Sequence, residues 1–296
     1  MNKQNILLVI NPVSGRRKIK PLLYKIIDML CKNGCKTTIF ITSQRGDAIS
    51  IVKDNAIGFQ KIICCGGDGT LNEVFTGLNI INAQIPVGYI PTGTTNDFAN
   101  TLKLPRRFVK AAMVALHGES RSLDLGSFNE GKFFTYVASF GVFTNVAYKT
   151  PQWLKNSIGR ISYYLYGASI LRETRAHTVK ITADNKELSG DFIFGSVTNT
   201  TVLGGFFRFL QDDVCLDDGF FEVLLIRAPK TPKDLQIIFD SILKRRYNDD
   251  RVLLFKAKSL KFSFAEAVPW TVDGEFAGEV DCARIENLHK TARIIV

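Results

Sequence analysis

Histidine is scarce: His117, His177 and His289 are all there are, scattered along 296 positions. A histidine-based triad or metal site therefore has little support. Six cysteines, at 31, 35, 64, 65, 215 and 282, include no C-x-x-C pair. Zinc and disulfides gain no support from that spacing, and buried free thiols are the reading. No apolar run reaches the roughly 18 residues of a membrane-spanning helix. Met1-Asn2-Lys3-Gln4-Asn5 leads straight into a strand without a signal-peptide core, so a cytoplasmic protein is expected. There is no G-x-x-x-x-G-K-[ST] loop, no G-x-G-x-x-G, and no H-R-D or D-F-G set, which excludes P-loop and protein-kinase architectures on motifs. Internal repeats, low-complexity linkers and nucleic-acid-binding motifs are also absent.

What is abundant is positive charge. A formal net charge of +10 favours anionic partners, namely nucleotides, acidic lipid headgroups or nucleic acid, and no motif supports the last. Arg16-Arg17-Lys18, Arg106-Arg107 and Lys244-Arg245-Arg246 are short and dispersed. Taken singly, each reads as a solvated face or a helix end.

The densest local signal is Lys61-Ile62-Ile63-Cys64-Cys65-Gly66-Gly67-Asp68-Gly69-Thr70-Leu71-Asn72-Glu73-Val74. An apolar run predicts a buried strand; the glycines break it, and Leu71, Val74, Phe75 and Leu78 resume at helical spacing. A strand, a glycine turn and a helix N-terminus suit phosphate, because backbone N–H groups and the helix dipole face the anion. Asp68 is the odd residue, since a carboxylate repels phosphate unless a divalent cation lies between them. The plainer reading is a tight turn with an acidic residue.

Further strands are predicted at Asn5–Ile10, Thr37–Ile41 and Pro86–Ile90, with helices opened by Pro21 and over Ala48–Gly58. Their polar ends, Asn11–Gly15, Thr42–Ser43, Gly66–Thr70 and Thr92–Asn96, fall on one sheet edge, where open α/β sheets bind ligands. From about Arg121 onward strand-like segments follow one another: Phe133–Phe140, Thr178–Ala183, Phe192–Asn199, Phe220–Ile226, Val252–Lys256 and Leu260–Phe264. Helices are predicted near Ile161–Leu171 and over Lys233–Tyr247. The fold class expected is an α/β nucleotide-binding domain with a mainly parallel sheet (1–122), plus a mostly antiparallel β-sandwich-like second domain (123–286). The segment 287–296 is left to return to the first domain.

Five motifs occur in order: Asn11-Pro12-x-Ser14-Gly15, Gly66-Gly67-Asp68-Gly69-Thr70-Leu71-Asn72-Glu73, Pro91-x-Gly93-Thr94-x-Asn96-Asp97-Phe98-Ala99, Leu216-Asp217-Asp218-Gly219 and Asp273-Gly274-Glu275. With these, nearly the whole chain resembles the diacylglycerol kinase catalytic-domain family, in particular its soluble bacterial lipid kinases; the family includes the sphingosine and ceramide kinases. The resemblance implies ATP bound between the domains and phosphoryl transfer to a lipid hydroxyl. By position, Asn11, Pro12, Val13, Ser14, Gly15, Thr42, Gly66, Gly67, Asp68, Gly69, Thr70, Leu71, Asn72 and Thr94 would line the nucleotide. Asp68 and Asp97 would supply carboxylates near a catalytic Mg2+.

It also implies that Glu275 is the general base, with Asp273 the competing assignment, and that Asp124 supports the domain junction through water. A structural Mg2+ would be held by the Asp218 side chain and the carbonyls of Cys215 and Phe220, with Asp213 and Asp217 contributing through water. Read alone, Leu216–Gly219 is a turn, and Val214-Cys215 stands where many family members have a proline two residues before the leucine. Diacylglycerol is the default acceptor; phosphatidylglycerol, sphingoid bases and polyprenols stay open, as do NAD kinase and a non-catalytic lipid-binding regulator. The acceptor pocket is expected to be apolar, with Phe140, Phe143, Phe206 and Phe207 as candidates; plain core is the equal alternative for these four. Peripheral association with anionic phospholipid is expected from the charge, and a homodimer fits the family.

Overall fold

The computed structural model describes residues 4–17, 21, 23–141, 175–203, 207–209 and 214–296. The helix expected near Ile161–Leu171 and the residues Phe143, Phe206 and Asp213 lie outside these; Phe207 is described by its backbone alone. Strands and helices alternate through the first third of the chain: β1 (Asn5–Ile10), α1 (Leu23–Lys32), β2 (Lys36–Ile41), α2 (Asp47–Asn55), β3 (Lys61–Gly66), α3 (Asp68–Ile80) and β4 (Val87–Pro91). Then come α4 (Asp97–Thr101) and α5 (Phe108–His117), neither foreseen in the sequence. The strands pair in parallel in the order β2-β1-β3-β4.

Parallel strands buried on both faces need helices on both sides. Ile6, Leu8 and Ile10 of β1 join Ile63 and Cys65 of β3 in one core with α1 and α5. Leu7, Val9, Ile62 and Cys64 join the opposite core with α2 and α3. Cys64 and Cys65 thus point to opposite faces, both as buried thiols.

The remaining elements are β5 (Ser120–Phe128), β6 (Lys132–Phe134), β7 (Val137–Gly141), β8 (His177–Ala183), β9 (Lys186–Thr198), β10 (Val202–Leu203), β11 (Phe207–Arg208), β12 (Phe221–Arg227), α6 (Pro232–Lys244), β13 (Asn248–Asp249), β14 (Val252–Ala257), β15 (Ser259–Val272) and β16 (Glu275–Ile295). Their pairings are antiparallel, with one exception. At the far end of β16, Ile294 and Ile295 lie parallel to Val87 and Gly88 of β4. The long β16 therefore joins the two halves into a continuous hydrogen-bonded sheet.

One expectation needs correction, and one open choice is decided. The single strand expected over Phe133–Phe140 is two, β6 and β7, because the N–H groups of Thr135 and Tyr136 turn away from the ladder to the Asp273 carboxylate. Of the two readings open for Phe140, pocket wall and plain core, the core is the one observed. Phe140 is fully buried against Trp270, Phe262 and Phe264, with ring centroids 5.0–5.9 Å away, in the core of the β-rich half.

Candidate functional site

The strand ends of the parallel sheet meet where glycines permit backbone contact. A Cβ on Gly93 would stand 2.7 Å from the Gly67 Cα, and one on Gly66 would stand 2.4 Å from the Thr70 Cβ. The loops after β1, β3 and β4 are tied by short polar contacts. Thr92 N–H donates to Gly66 O (2.7 Å), Asn11 N–H to Cys65 O (2.8 Å) and Asn11 Nδ2 to Thr70 Oγ1 (3.0 Å). Ser14 Oγ and Thr92 Oγ1 share a hydrogen bond. Thr42, at the end of β2, donates its N–H to Ile10 O. Pro12 and Val13 form the rim, with Val13 N–H turned back to Asn11 Oδ1, and Thr94 is exposed at the tip of its loop. Gly67 caps α3 without a side chain, so the helix presents its positive end at this junction.

Two residues of the glycine stretch face elsewhere. Leu71 is fully buried in the core and its N–H donates to Gly67 O, so neither side chain nor amide is presented to a ligand. Asn72 Nδ2 donates to Asp273 Oδ2 (2.6 Å) and Phe133 O (2.9 Å), bridging α3 to the β-rich half.

Asp68 Oδ1 accepts from the Tyr89 hydroxyl (3.1 Å) and Oδ2 from Asp97 N–H (2.8 Å). Burial pushes the Asp68 carboxyl up to about 7, and the charges of Asp97 and Asp273 add to the rise. Asp97, buried at the start of α4, is thereby tied to Asp68. Two carboxylates beside the N-terminus of α3, one of them costly to ionise, fit Mg2+. That ion takes one or two protein carboxylates and completes its shell with phosphate oxygens and water. Among the described residues, no group of three or more histidine, cysteine or acidic side chains is placed to hold a metal alone.

The two acids of Asp273-Gly274-Glu275 differ sharply. Asp273 is buried and accepts four hydrogen bonds, from Thr135 N–H (2.7 Å), Tyr136 N–H (3.0 Å), Val137 N–H (3.0 Å) and Asn72 Nδ2 (2.6 Å). Burial pushes its pKa up to about 6 against those four donors. Glu275, by contrast, has a 45% exposed side chain paired with Arg45. A Cβ on Gly69 would sit 3.1 Å from Glu275 Oε1, so this carboxylate overhangs the glycine turn. A cavity of about 210 Å3 opens beside it, bounded by Arg45, Gly69, Asn72, Lys132 and Phe276. Arg45 and Tyr89 were not singled out in the sequence; one follows the polar end of β2 and the other lies within an apolar strand.

Around Leu216–Gly219 a lysine lies beside the acids. Asp218 Oδ1 accepts from Phe220 N–H (3.0 Å), and Oδ2 pairs with Lys256 Nζ (2.9 Å). The same ammonium lies 3.5 Å from Glu222, which is 1% exposed and whose pKa burial pushes up to about 8. Cys215 contacts Asp217 through its thiol. The Mg2+ expected from Asp218 with the Cys215 and Phe220 carbonyls thus faces a carboxylate already served by an ammonium. Asp124 joins the halves by direct contacts. It accepts from Gly219 N–H (2.7 Å) and Lys290 N–H (2.7 Å), with His289 Nδ1 3.1 Å away.

Comparison with known proteins agrees over both halves. Residues 5–128 match the family model of the diacylglycerol kinase catalytic domain, and residues 137–294 match that of the YegS C-terminal NAD kinase beta sandwich-like domain. The diacylglycerol kinase of Bacillus subtilis (strain 168) is 32% identical over 291 residues, covering 98% of this chain and 95% of that protein. That of Staphylococcus carnosus (strain TM300) is 32% identical over 275 residues, covering 92% and 89%. A diacylglycerol kinase crystal structure from Bacillus anthracis str. Sterne superposes with a TM-score of 0.77 at 25% identity, over 100% of this chain and 97% of that one.

Proposed function

The chain belongs to the diacylglycerol kinase family, and from that premise we propose that it transfers the γ-phosphoryl group of ATP to the hydroxyl of a lipid, diacylglycerol first among the candidates. The observation that carries this reading is the placement of Glu275, the exposed acid of its motif, over the glycine turn that begins α3.

The loops after β1, β2, β3 and β4 supply hydroxyls and backbone N–H groups for the triphosphate, in the manner of a helix N-terminal anion site. Asp68 and Asp97 would hold Mg2+, which when bound neutralises charge on the transferred group. Tyr89 orients Asp68 through its hydroxyl. Glu275 accepts the proton of the acceptor hydroxyl as that oxygen bonds to phosphorus and ADP departs with the bridging oxygen. A carboxylate suffices because the transition state is loose and placement dominates. Asp273, with both oxygens committed to four donors, orients the turn and takes no proton.

Incubation with labelled ATP, Mg2+ and short-chain diacylglycerol, beside a parallel reaction with NAD, tests the proposal. A labelled phospholipid product is expected. Label transfer to NAD in place of lipid would make the chain an NAD kinase. Transfer to neither, under conditions that support a related diacylglycerol kinase, would refute phosphorylation of diacylglycerol.

A further inference from the structure

Arg45 stands in a turn whose backbone is held from two directions. Within the turn, Asp47 Oδ2 accepts from Ser43 N–H (2.7 Å), the Ser43 hydroxyl (2.6 Å) and Gln44 N–H (3.0 Å). From α3 the Glu73 carboxylate reaches across: Oε1 accepts from Gly46 N–H (2.8 Å) and Oε2 from Ala48 N–H (3.3 Å). Gly46 takes φ 85, a left-handed conformation open to glycine, so the chain turns into α2 directly after Arg45. Glu73 is the last residue of the Gly66–Glu73 motif, and these two amides are what its side chain serves. The arginine is thus fixed at its backbone by the helix that begins at the glycine turn, while its side chain is 70% exposed.

Glu275 is fixed at its backbone as well. It follows Asp273, whose four donors hold that turn, and it pairs with Val272 at the start of β16. Its two carboxylate oxygens have different neighbours. Oε2 pairs with Arg45 Nη2. Oε1 overhangs Gly69, 3.1 Å from where a Cβ there would stand. Glu73 lies within electrostatic reach of both partners: burial raises its carboxyl, the charge of Glu275 adds to the rise, and that of Arg45 opposes it. Without the guanidinium, the two carboxylates would face each other with their repulsion uncompensated.

We propose that Arg45 is a positioning residue for the base: it anchors Glu275 by Oε2, so that Oε1 is presented over the glycine turn and receives the proton. The proposal rests on the lipid-kinase reading above. The acceptor hydroxyl gives its proton to Oε1 as its oxygen bonds to the γ-phosphorus, and the bond from phosphorus to the bridging oxygen breaks, releasing ADP. A glutamate side chain has several rotatable bonds, and a half-exposed carboxylate without a partner samples rotamers that point away from Gly69. An exposed ion pair adds little to the stability of the fold. What this pair supplies is placement, the quantity on which a loose phosphoryl transfer depends.

The test is a double-mutant cycle of Arg45→Ala and Glu275→Gln, read as kcat and ATP KM with labelled ATP, Mg2+ and short-chain diacylglycerol, beside a melting curve for each variant. Arg45→Ala should lower kcat about tenfold, less than loss of the base itself, with the ATP KM and Tm unchanged. In the Glu275→Gln background the same substitution should change kcat by less than about twofold, because an anchor has no effect once its base is gone.

A wild-type kcat in Arg45→Ala would overturn the proposal. So would an equal loss in both backgrounds, which would make Arg45 act on the reaction without Glu275. A raised ATP KM at unchanged kcat would make Arg45 a nucleotide contact instead, and a kcat that rises on substitution would make the pair a brake on the base. A fall in Tm that parallels the loss of kcat would assign the arginine to the fold. The wild-type reaction separates this proposal from the reading it rests on. No transfer to lipid by the wild type refutes the proposed function, and the anchor falls with it; transfer that Arg45→Ala leaves intact refutes the anchor alone.

Discussion

Replacing Asp68 by asparagine should abolish phosphoryl transfer and at the same time stabilise the fold at alkaline pH. The side chain sits in a pocket that disfavours its charge, so its carboxyl rises from 3.8 to about 7. A group whose folded pKa is raised contributes stability that is fully present below the unfolded value of 3.8. That contribution is lost as pH rises to the folded value near 7. Three pH units correspond to about 4 kcal/mol as an upper bound, and water penetration reduces this to roughly 2–3 kcal/mol. Asparagine keeps both neighbours: its carbonyl oxygen accepts from Asp97 N–H, and its amide donates to the Tyr89 hydroxyl oxygen. At roughly 2–4 °C per kcal/mol, the variant should melt about 5–10 °C above wild type at pH 8 with Mg2+ chelated. The two curves should converge near pH 4, and added Mg2+ should narrow the gap by stabilising only the wild type. Differential scanning fluorimetry across pH, with and without chelator, reads all three effects. A wild type that melts higher at pH 8 without metal, or a gap independent of pH, would refute the reasoning.

Glu275→Gln should lower kcat by about 10²–10⁴ with the ATP KM and Tm nearly unchanged, measured by steady-state kinetics and melting. Asp273→Asn should act on stability first: two of its four buried donors lose their acceptor, at about 1–3 kcal/mol each, and Tm falls. Retained kcat in Glu275→Gln, with a catalytic loss and unchanged Tm in Asp273→Asn, would exchange the two roles. Lys256→Met should leave Asp218 and buried Glu222 without their cation, at a cost of about 1–3 kcal/mol once both are charged, because the ammonium is 40% exposed and partly screened. Because Glu222 titrates near 8, that loss should deepen above pH 8 and shrink toward pH 5, as a melting series would show.

The parallel half of the fold was legible because β1, β3 and β4 announce themselves as buried apolar runs, and all four strands end in glycine, proline or small polar residues, β2 included although it opens on Lys36, Thr37 and Thr38. The β-rich half was less so. The long β16 alternates buried residues with charged ones, Ala283 and Ile285 between Arg284 and Glu286, and lacks the apolar density that marks β1. Phe140 could not be assigned to pocket or core from the sequence, because strand alternation decides the face and its neighbour Ser139, bonded to Thr271, takes the opposite one. Between Asp273 and Glu275 the sequence could not choose, since two acids two positions apart look equivalent until the backbone buries one. Leu71 was grouped with the loop by motif although its own helical spacing already marked it as core. Arg45 and Tyr89 carry no local signal; only distant segments bring them to Glu275 and Asp68.

The course of β16 also has a consequence for synthesis. β4 is flanked by β3 on one side and by Ile294-Ile295 on the other, about two hundred residues downstream. A nascent chain that has emerged through α5 can therefore assemble β1 to β4 and still present β4 as a bare edge to solvent. At about 5–20 residues per second, that edge waits roughly 10–40 s for its partner. Unpaired strand edges template association with other chains, so the interval is one in which a chaperone that shields β4 would raise the yield of folded protein. A stalled ribosome would hold the chain in its most aggregation-prone state.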